Sequence, residues 1–236
     1  MKELFKKAVR FFKARPYSAI LLLWPWQIIW YSVLNRLVVQ DPAASRLIHI
    51  DLDDKIPYLN FFSVFYTLWF VFIAVCIVYV LIHSKKDFLR CATGCLFTMY
   101  VCMIFCTVFP TYHDLRAADT GGGLFGLIVK IIYSVDEPAV VYPSIHVVVS
   151  IVLALRMTFA ESLKNKPVRK ALVWFMAIMI TLSTVFIKQH SAADVILALV
   201  LAVPFDLFVR FVIWPDKRFK ERPASAEKGV PAAESD

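Results

Sequence analysis

The feature that most constrains this chain is a series of long apolar stretches separated by charged connections. A helix needs about 20 mostly apolar residues to cross roughly 30 Å of membrane hydrocarbon. Six stretches approach or exceed that length: 17–34, 58–82, 88–110, 144–160, 168–187 and 191–214. Only 19% of the 236 residues are charged, whereas about 25% is usual for a soluble domain. The sequence therefore predicts an all-α, polytopic membrane bundle of six transmembrane helices.

Basic residues are distributed unevenly between the two sides of this predicted bundle. Of the 26 Lys and Arg residues, two lie within spans and 18 lie on the side of the N-terminus. The opposite side carries the other six, which are Arg36, Arg46, Lys55, Arg116, Lys130 and Lys188. Because Lys and Arg concentrate in cytoplasmic loops, both termini are predicted to be cytoplasmic. Topology then explains the net charge of +8, and we expect membrane lipids rather than nucleic acid as partners.

One membrane domain, residues 17–214, is predicted between two terminal segments. Residues 1–16 form a basic cytoplasmic N-terminus, and the composition of residues 215–236 is typical of a disordered cytoplasmic tail. The longest connection, 111–143, is long enough to be functional. Its apolar part, 124–133, is too short to span and is predicted to dip into the membrane interface.

Two patterns resemble ligand sites but favour structural interpretations. Residues 121–126 read GGGLFG and match the G-x-G-x-x-G dinucleotide pattern, yet they follow a polar loop, so a turning loop is favoured. Four cysteines recur in the third span, at positions 91, 95, 102 and 106. They extend over about 22 Å of helix, too far to share one metal ion. The sequence predicts buried, reduced thiols, no metal site and no cofactor.

Three charged residues lie more than three positions from either end of a predicted span. Asp206 and Arg210 are four positions apart in the last span, which predicts an ion pair on one helix face. Arg156 is predicted to extend its guanidinium to the inner membrane surface. Two isolated loop histidines, His49 and His83, have no partner pattern and receive no role.

Six polar residues fall at the outer ends of four predicted helices. They are Arg116 after the third span, Ser144 and His146 at the start of the fourth, and Lys188, His190 and Asp194 between the fifth and the sixth. Interfacial anchoring explains the two cations but not two histidines at facing helix starts. We therefore predict that the six converge at one membrane face. For the neighbouring His113 and Asp114, a solvated loop is favoured over a contribution to this site.

These residue types suit phosphoryl transfer. A transferring phosphoryl group spreads negative charge over its oxygens and needs fixed positive charge and N–H donors. Arg116 and Lys188 supply charge, and Ser144 begins a helix whose N-terminus attracts anions. Near neutral pH, one of the two imidazoles of His190 and His146 can act as the nucleophile and the other as the general acid. Asp194, four residues after His190, is placed to hold one ring nitrogen of that histidine.

Two segments resemble the second and third signatures of the type 2 phosphatidic acid phosphatase (PAP2) superfamily, PS-x-H and SR-x5-H-x3-D. Residues 143–146 read PSIH, and residues 183–194 read STVFIKQHSAAD. The KQHSAAD wording is most similar to the arm that includes inositol phosphorylceramide synthases and sphingomyelin synthase-like proteins. The order, separation and placement of the segments on six helices support the resemblance, which covers roughly residues 17–214.

The resemblance implies a mechanism through phosphohistidine. It implies that His190 attacks phosphorus, that Asp194 is its carboxylate partner, and that His146 protonates the leaving oxygen. It further implies that Ser144 binds the phosphate.

The chain also departs from the family pattern. Of the first signature, K-x6-RP, only Arg116 is present, because Phe109 and Ala117 stand at the Lys and Pro positions. Thr184 replaces the third-signature Arg, and Lys188 is a substitute source of charge.

The sequence thus predicts an integral enzyme of the cell membrane, a lipid phosphatase or phosphotransferase with its active site on the extracytoplasmic face. One alternative is a catalytically inactive binder or transporter of lipid phosphates, and another is a purely structural membrane protein. The identity of the lipid, the choice between hydrolysis and headgroup transfer, and the oligomeric state stay open.

Overall fold

Helices dominate the computed structural model of this chain, which describes residues 2–41 and 44–220. The α-helices are α1 (Lys2–Lys13), α2 (Trp24–Gln40), α3 (Asp51–Lys55), α4 (Ser63–His83), α5 (Lys85–Val108), α6 (Gly123–Val135), α7 (Ile145–Thr158), α8 (Pro167–Phe186), α9 (Ala192–Phe208) and α10 (Lys217–Lys220). Short 3-10 segments cover Pro16–Leu23, Asn60–Phe62 and Glu161–Leu163, and a π-helical turn covers Val209–Ile213. The described residues are nearly all-α, which agrees with the predicted class except for a small two-stranded sheet. Most of the predicted tail, residues 221–236, lies outside the described residues.

Within the described residues, five helical segments are long and apolar enough to cross a membrane: Pro16–Gln40, Asn60–His83, Lys85–Val108, Pro167–Phe186 and Ala192–Ile213. They coincide with five of the six predicted spans to within a few residues, except that the first continues to Gln40. The predicted fourth span, 144–160, contains α7, whose 14 residues extend only about 21 Å. The count of six spans, and the sides on which the termini lie, stay predictions.

The short helix α7 lies at the centre of the bundle and packs against α5, α8 and α9. Its valines Val147, Val148 and Val149 are fully buried. A helix that is apolar on every face is stable only when other helices surround it. Gly94 of α5 allows close approach, because a Cβ there would lie 3.3 Å from the Val152 side chain. The outward faces of the longer helices carry exposed apolar side chains instead, as lipid contact requires.

A small sheet joins the loops before α3, after α5 and after α6. Strand β1 (Arg46–Leu47) pairs in parallel with β2 (Thr111–Tyr112), and Tyr112 also forms an antiparallel bridge with Ala139. The apolar stretch 124–133 lies within α6. The Gly-rich stretch, 121–126, covers the start of that helix. There Gly121 has a φ of 77°, and a Cβ on Gly126 would lie 2.0 Å from the carbonyl oxygen of Gly121. The positive φ at Gly121 and the close backbone contact at Gly126 account for these two glycines.

The ion pair within the bundle differs from the predicted one. Arg156 of α7 donates from Nε to the carboxylate of Asp206 in α9, and the two residues are 4% and 3% exposed. Arg210 lies instead over the ring of Phe159, 4.7 Å from its centroid. The predictions that Asp206 pairs with Arg210 and that Arg156 reaches the membrane surface are both wrong. Since α7 is enclosed, Arg156 needs a buried partner, and the π turn that begins at Val209 alters the i to i+4 relation.

All five cysteines are free and buried, which confirms the predicted thiols. Four of them lie on α5 and the fifth, Cys76, lies on α4.

His49, which received no role from the sequence, links two outer connections. Its Nδ1 lies 2.8 Å from Asp114 and its Nε2 lies 3.0 Å from Asp54. Both contacts are exposed to solvent. The Asp114 contact nevertheless attaches the segment that carries α3 to the loop that follows β2.

We expect the His49 contacts to respond to pH. Hydrogen bonds to Asp114 and then to Asp54 raise the pKa of His49 above its usual value. The resulting stabilisation is complete below about pH 6.5, the ordinary pKa of histidine, and is lost as pH rises through the higher value of the folded state. An NMR titration of the ring should give a midpoint above 6.5, and Asp114→Asn should lower it. Asp119→Asn, a matched control in the same loop, should leave the midpoint unchanged; an unchanged midpoint in Asp114→Asn would contradict the assignment.

Candidate functional site

The turn between α8 and α9 brings His190 and Asp194 together. Nδ1 of His190 lies 3.2 Å from Oδ2 of Asp194, which also accepts the N–H of Ser191 at 2.9 Å. Asp194 is fully buried and His190 is 7% exposed. We assign the ring proton to Nδ1 because a carboxylate accepts it there. The other ring nitrogen, Nε2, then carries a lone pair, so the predicted pairing of these residues is present in the structure.

Helix caps shape this turn. The N–H groups of Gln189 and His190 both donate to the carbonyl oxygen of Thr184, which ends α8. The hydroxyl of Ser191 accepts the N–H of Ala193 at 3.1 Å, which begins α9. The histidine thus lies in a short turn that is hydrogen-bonded at both ends.

The outer helix α3 holds the same turn from the other side. The Asp53 carboxylate accepts the Ser191 hydroxyl and the Ala192 N–H, each at 2.6 Å. Lys188 donates from Nζ to the carbonyl oxygens of Asp53 and Ile56, at 2.6 and 2.7 Å. The predicted phosphate ligand Lys188 is therefore bound to protein carbonyls, and a protein carboxylate already occupies the N-terminus of α9.

His146 faces His190 from the first turn of α7, with the ring centroids 5.8 Å apart. Tyr66 stacks on the His146 ring at 4.4 Å, and Trp69 lies against it at 4.3 Å. Ser144 caps α7 by accepting the N–H of Val147 at 3.4 Å and is fully buried. The structure brings the two histidines together and places Ser144 beneath them as a helix cap.

Arg116 lies behind the turn that carries His190. Its Nε donates to the side-chain oxygen of Gln189 at 3.1 Å, and its Nη1 donates to the carbonyl of Tyr133 at 2.8 Å. Its Nη2 donates to the carbonyl of Asp136. Gln189 donates to that same carbonyl at 3.1 Å. The guanidinium is adjacent to the histidine turn, and all three of its nitrogens bond to protein oxygens.

Both histidines line a cavity of ≈ 480 Å³ between α2, α4 and α6. Its polar end contains His146, His190, Gln189, Asp136 and Glu137. The rest of the lining is mostly apolar, and it includes residues exposed on the surface of the bundle: Ile28, Phe70, Ile131 and Val135 are 53%, 65%, 54% and 76% exposed. Among the described lining residues there is neither a Lys nor an Arg. The cavity can accept an amphiphile with its polar group at the histidines and its chains at the apolar surface.

The sequence interpretation missed Asp136, whose carboxylate accepts the hydroxyls of Tyr31 and Tyr66. Burial favours a higher pKa for Asp136, but nearby His146 and the two tyrosine hydrogen bonds outweigh it and lower the pKa. The carboxylate is therefore ionised at neutral pH. Two tyrosines within apolar spans, followed by an Asp shortly before PSIH, were the available signal.

His113 also differs from its prediction, because it is buried rather than solvated. Its Nδ1 accepts the N–H of Leu115 at 3.2 Å. Burial, and then the neighbouring charges of His190 and Arg116, lower the pKa of His113 to about 3. It is therefore neutral near the site. Its neighbour Asp114 binds His49 instead.

Comparison of the chain with protein-family models, with curated proteins and with solved structures finds no match.

Proposed function

We propose that this protein is an integral-membrane lipid phosphatase or phosphotransferase of the PAP2 type that forms a phosphohistidine at His190. The observation that carries the proposal is the His190–Asp194 pair, which shares with His146 a cavity that opens on the apolar surface of the bundle. The matched PSIH and H-x3-D segments support it. A lipid fits this cavity because its headgroup and its chains need opposite environments.

In the first half-reaction, Nε2 of His190 attacks phosphorus and the bond to the leaving oxygen breaks. Protonated His146 donates its proton to that oxygen. In the second half-reaction, water or a headgroup hydroxyl attacks the phosphohistidine and returns a proton to His146 as the P–N bond breaks. Asp194 holds the His190 proton on Nδ1 throughout and balances the positive charge of the imidazolium.

The proposed topology has six spans, with α7 as the enclosed fourth span and both termini in the cytoplasm. This places the His190 turn and the start of α7 on the extracytoplasmic side of the cell membrane. The excess of Lys and Arg on the other side supports this orientation.

A second candidate function is a non-catalytic binder or transporter of lipid phosphates. One observation favours it: Phe109 and Thr184 stand where the PAP2 signatures have Lys and Arg, so charge that would stabilise the transferring phosphoryl group is missing. Binding without turnover requires neither a free nucleophile nor a proton donor.

A phosphoenzyme experiment separates the two functions. The purified protein in detergent is mixed with phosphatidic acid, a polyprenyl pyrophosphate or phosphatidylglycerol phosphate, each carrying ³²P on its terminal phosphate, and is then quenched in alkali. We expect protein-bound label that is stable in alkali and lost in acid, as for phosphohistidine. Binding of the lipids without any bound label would support the binder instead. Product analysis with and without added inositol then distinguishes headgroup transfer from hydrolysis.

A further inference from the structure

The Asp136 carboxylate lies at the polar end of the cavity, and the reaction described above gives it no role. Its two oxygens accept hydroxyls from two different spans, Tyr31 of α2 and Tyr66 of α4. Its main-chain carbonyl accepts Arg116 and Gln189 from the side of the histidine turn. Asp136 is therefore held in place by three separate parts of the fold.

A carboxylate in a phosphate site repels the substrate unless a cation lies between them. Of the described side chains that line the cavity, only His146 and His190 can carry positive charge. His190 already has its own carboxylate in Asp194. His146 is therefore the remaining cation that the Asp136 carboxylate can stabilise.

The Tyr66 side chain joins Asp136 to His146. Its hydroxyl donates to the carboxylate while its ring stacks on the imidazole at 4.4 Å. Trp69 lies against the same imidazole at 4.3 Å. Aromatic faces attract cations, and a nearby carboxylate favours the protonated form of an imidazole. Burial of the His146 ring, and then the charge of His190, oppose that protonation, and the Asp136 carboxylate is the group that favours it.

We propose that Asp136 is a positioning residue that stabilises protonated His146, so that each histidine of the site has its own carboxylate. The inference rests on the proposed function. Asp136 keeps His146 protonated until the P–O bond breaks and His146 gives its proton to the leaving oxygen. Substrates whose leaving oxygen needs no proton should not depend on this carboxylate.

The test compares Asp136→Asn with the wild type on two phosphate monoesters, a long-chain alkyl phosphate and a nitrophenyl phosphate. The rate of phosphoenzyme formation is measured in a single turnover. For the alkyl ester, we expect a loss of about 10²-fold, the lower end of what general acid catalysis supplies. For the nitrophenyl ester, whose phenolate leaves unprotonated, the rate should stay within a few-fold of the wild type.

Two further variants keep the result interpretable. Tyr66→Phe retains the stacked ring and removes one hydrogen bond to Asp136, so it should show the same selectivity with a smaller loss. Asp119→Asn makes the same change of charge in an outer loop and should affect neither ester. Equal losses on both esters in Asp136→Asn and Tyr66→Phe would overturn the inference while leaving the phosphohistidine intact. Absence of a phosphoenzyme in the wild type with every ester would instead overturn the proposed function, and the inference with it.

Discussion

Replacing His190 with alanine should lower the rate of phosphate release from a lipid phosphate by about 10⁴-fold or more, because it removes the atom that forms the covalent intermediate. Protein-bound label should disappear with it. Asp194→Asn should cost about 10³-fold, because an amide no longer holds the proton on Nδ1 or balances the imidazolium. Phosphate release by purified protein in detergent, with lipid in excess, measures both effects.

The matched control for His190→Ala is His83→Ala. His83 is the last residue of α4, at the end of that helix away from the cavity. The His83 ring stacks on Tyr79 at 4.2 Å, and its Nδ1 contacts the Tyr79 carbonyl, far from the cavity. We expect phosphate release near the wild-type rate for this variant. Wild-type release by a folded His190→Ala protein would exclude the phosphohistidine mechanism. Folding is checked by the melting temperature in the same detergent.

Helix positions along the membrane normal could be predicted from the sequence because charged residues mark the ends of the apolar stretches. The predicted spans 58–82 and 168–187 match the structural segments Asn60–His83 and Pro167–Phe186 closely. The adjacency of His190 and Asp194 was predicted from helical spacing, but in the structure His190 precedes α9, and the Asp194 carboxylate in the first turn of that helix accepts the Ser191 N–H and contacts His190. Helical periodicity and hydropathy are both patterns along a single helix, so they predict features of that helix.

Contacts between helices could not be predicted in the same way. Hydropathy indicates the depth of a residue but not the neighbouring helix that its side chain faces. Asp206 was therefore assigned to Arg210 on its own helix rather than to Arg156 on α7. Lys188 lies at the expected end of the bundle but turns toward the carbonyls of α3. Asp136 was missed because its tyrosine partners are 105 and 70 residues away in the chain.

The buried ion pair between Arg156 and Asp206 should dominate the stability of the end of the bundle opposite the histidines. Asp206→Ala leaves a guanidinium enclosed without its carboxylate, and we expect the free energy of unfolding to fall by about 3–5 kcal/mol. The Nη2 atom of Arg156 is buried and has no hydrogen-bond partner among the described residues. No second acceptor therefore compensates the loss. Unfolding in detergent, followed by circular dichroism, measures the change.

The double variant Arg156→Met/Asp206→Leu provides the decisive comparison. It removes both charges and replaces them with apolar side chains, so most of the stability lost in Asp206→Ala should return. Arg210→Ala, which removes the other arginine near this end of the bundle, should cost only about 1 kcal/mol, the scale of an exposed cation–π contact. If the double variant were no more stable than Asp206→Ala, the unpaired guanidinium would not be the source of the loss. The stability of α7 against α9 would then come from apolar packing alone.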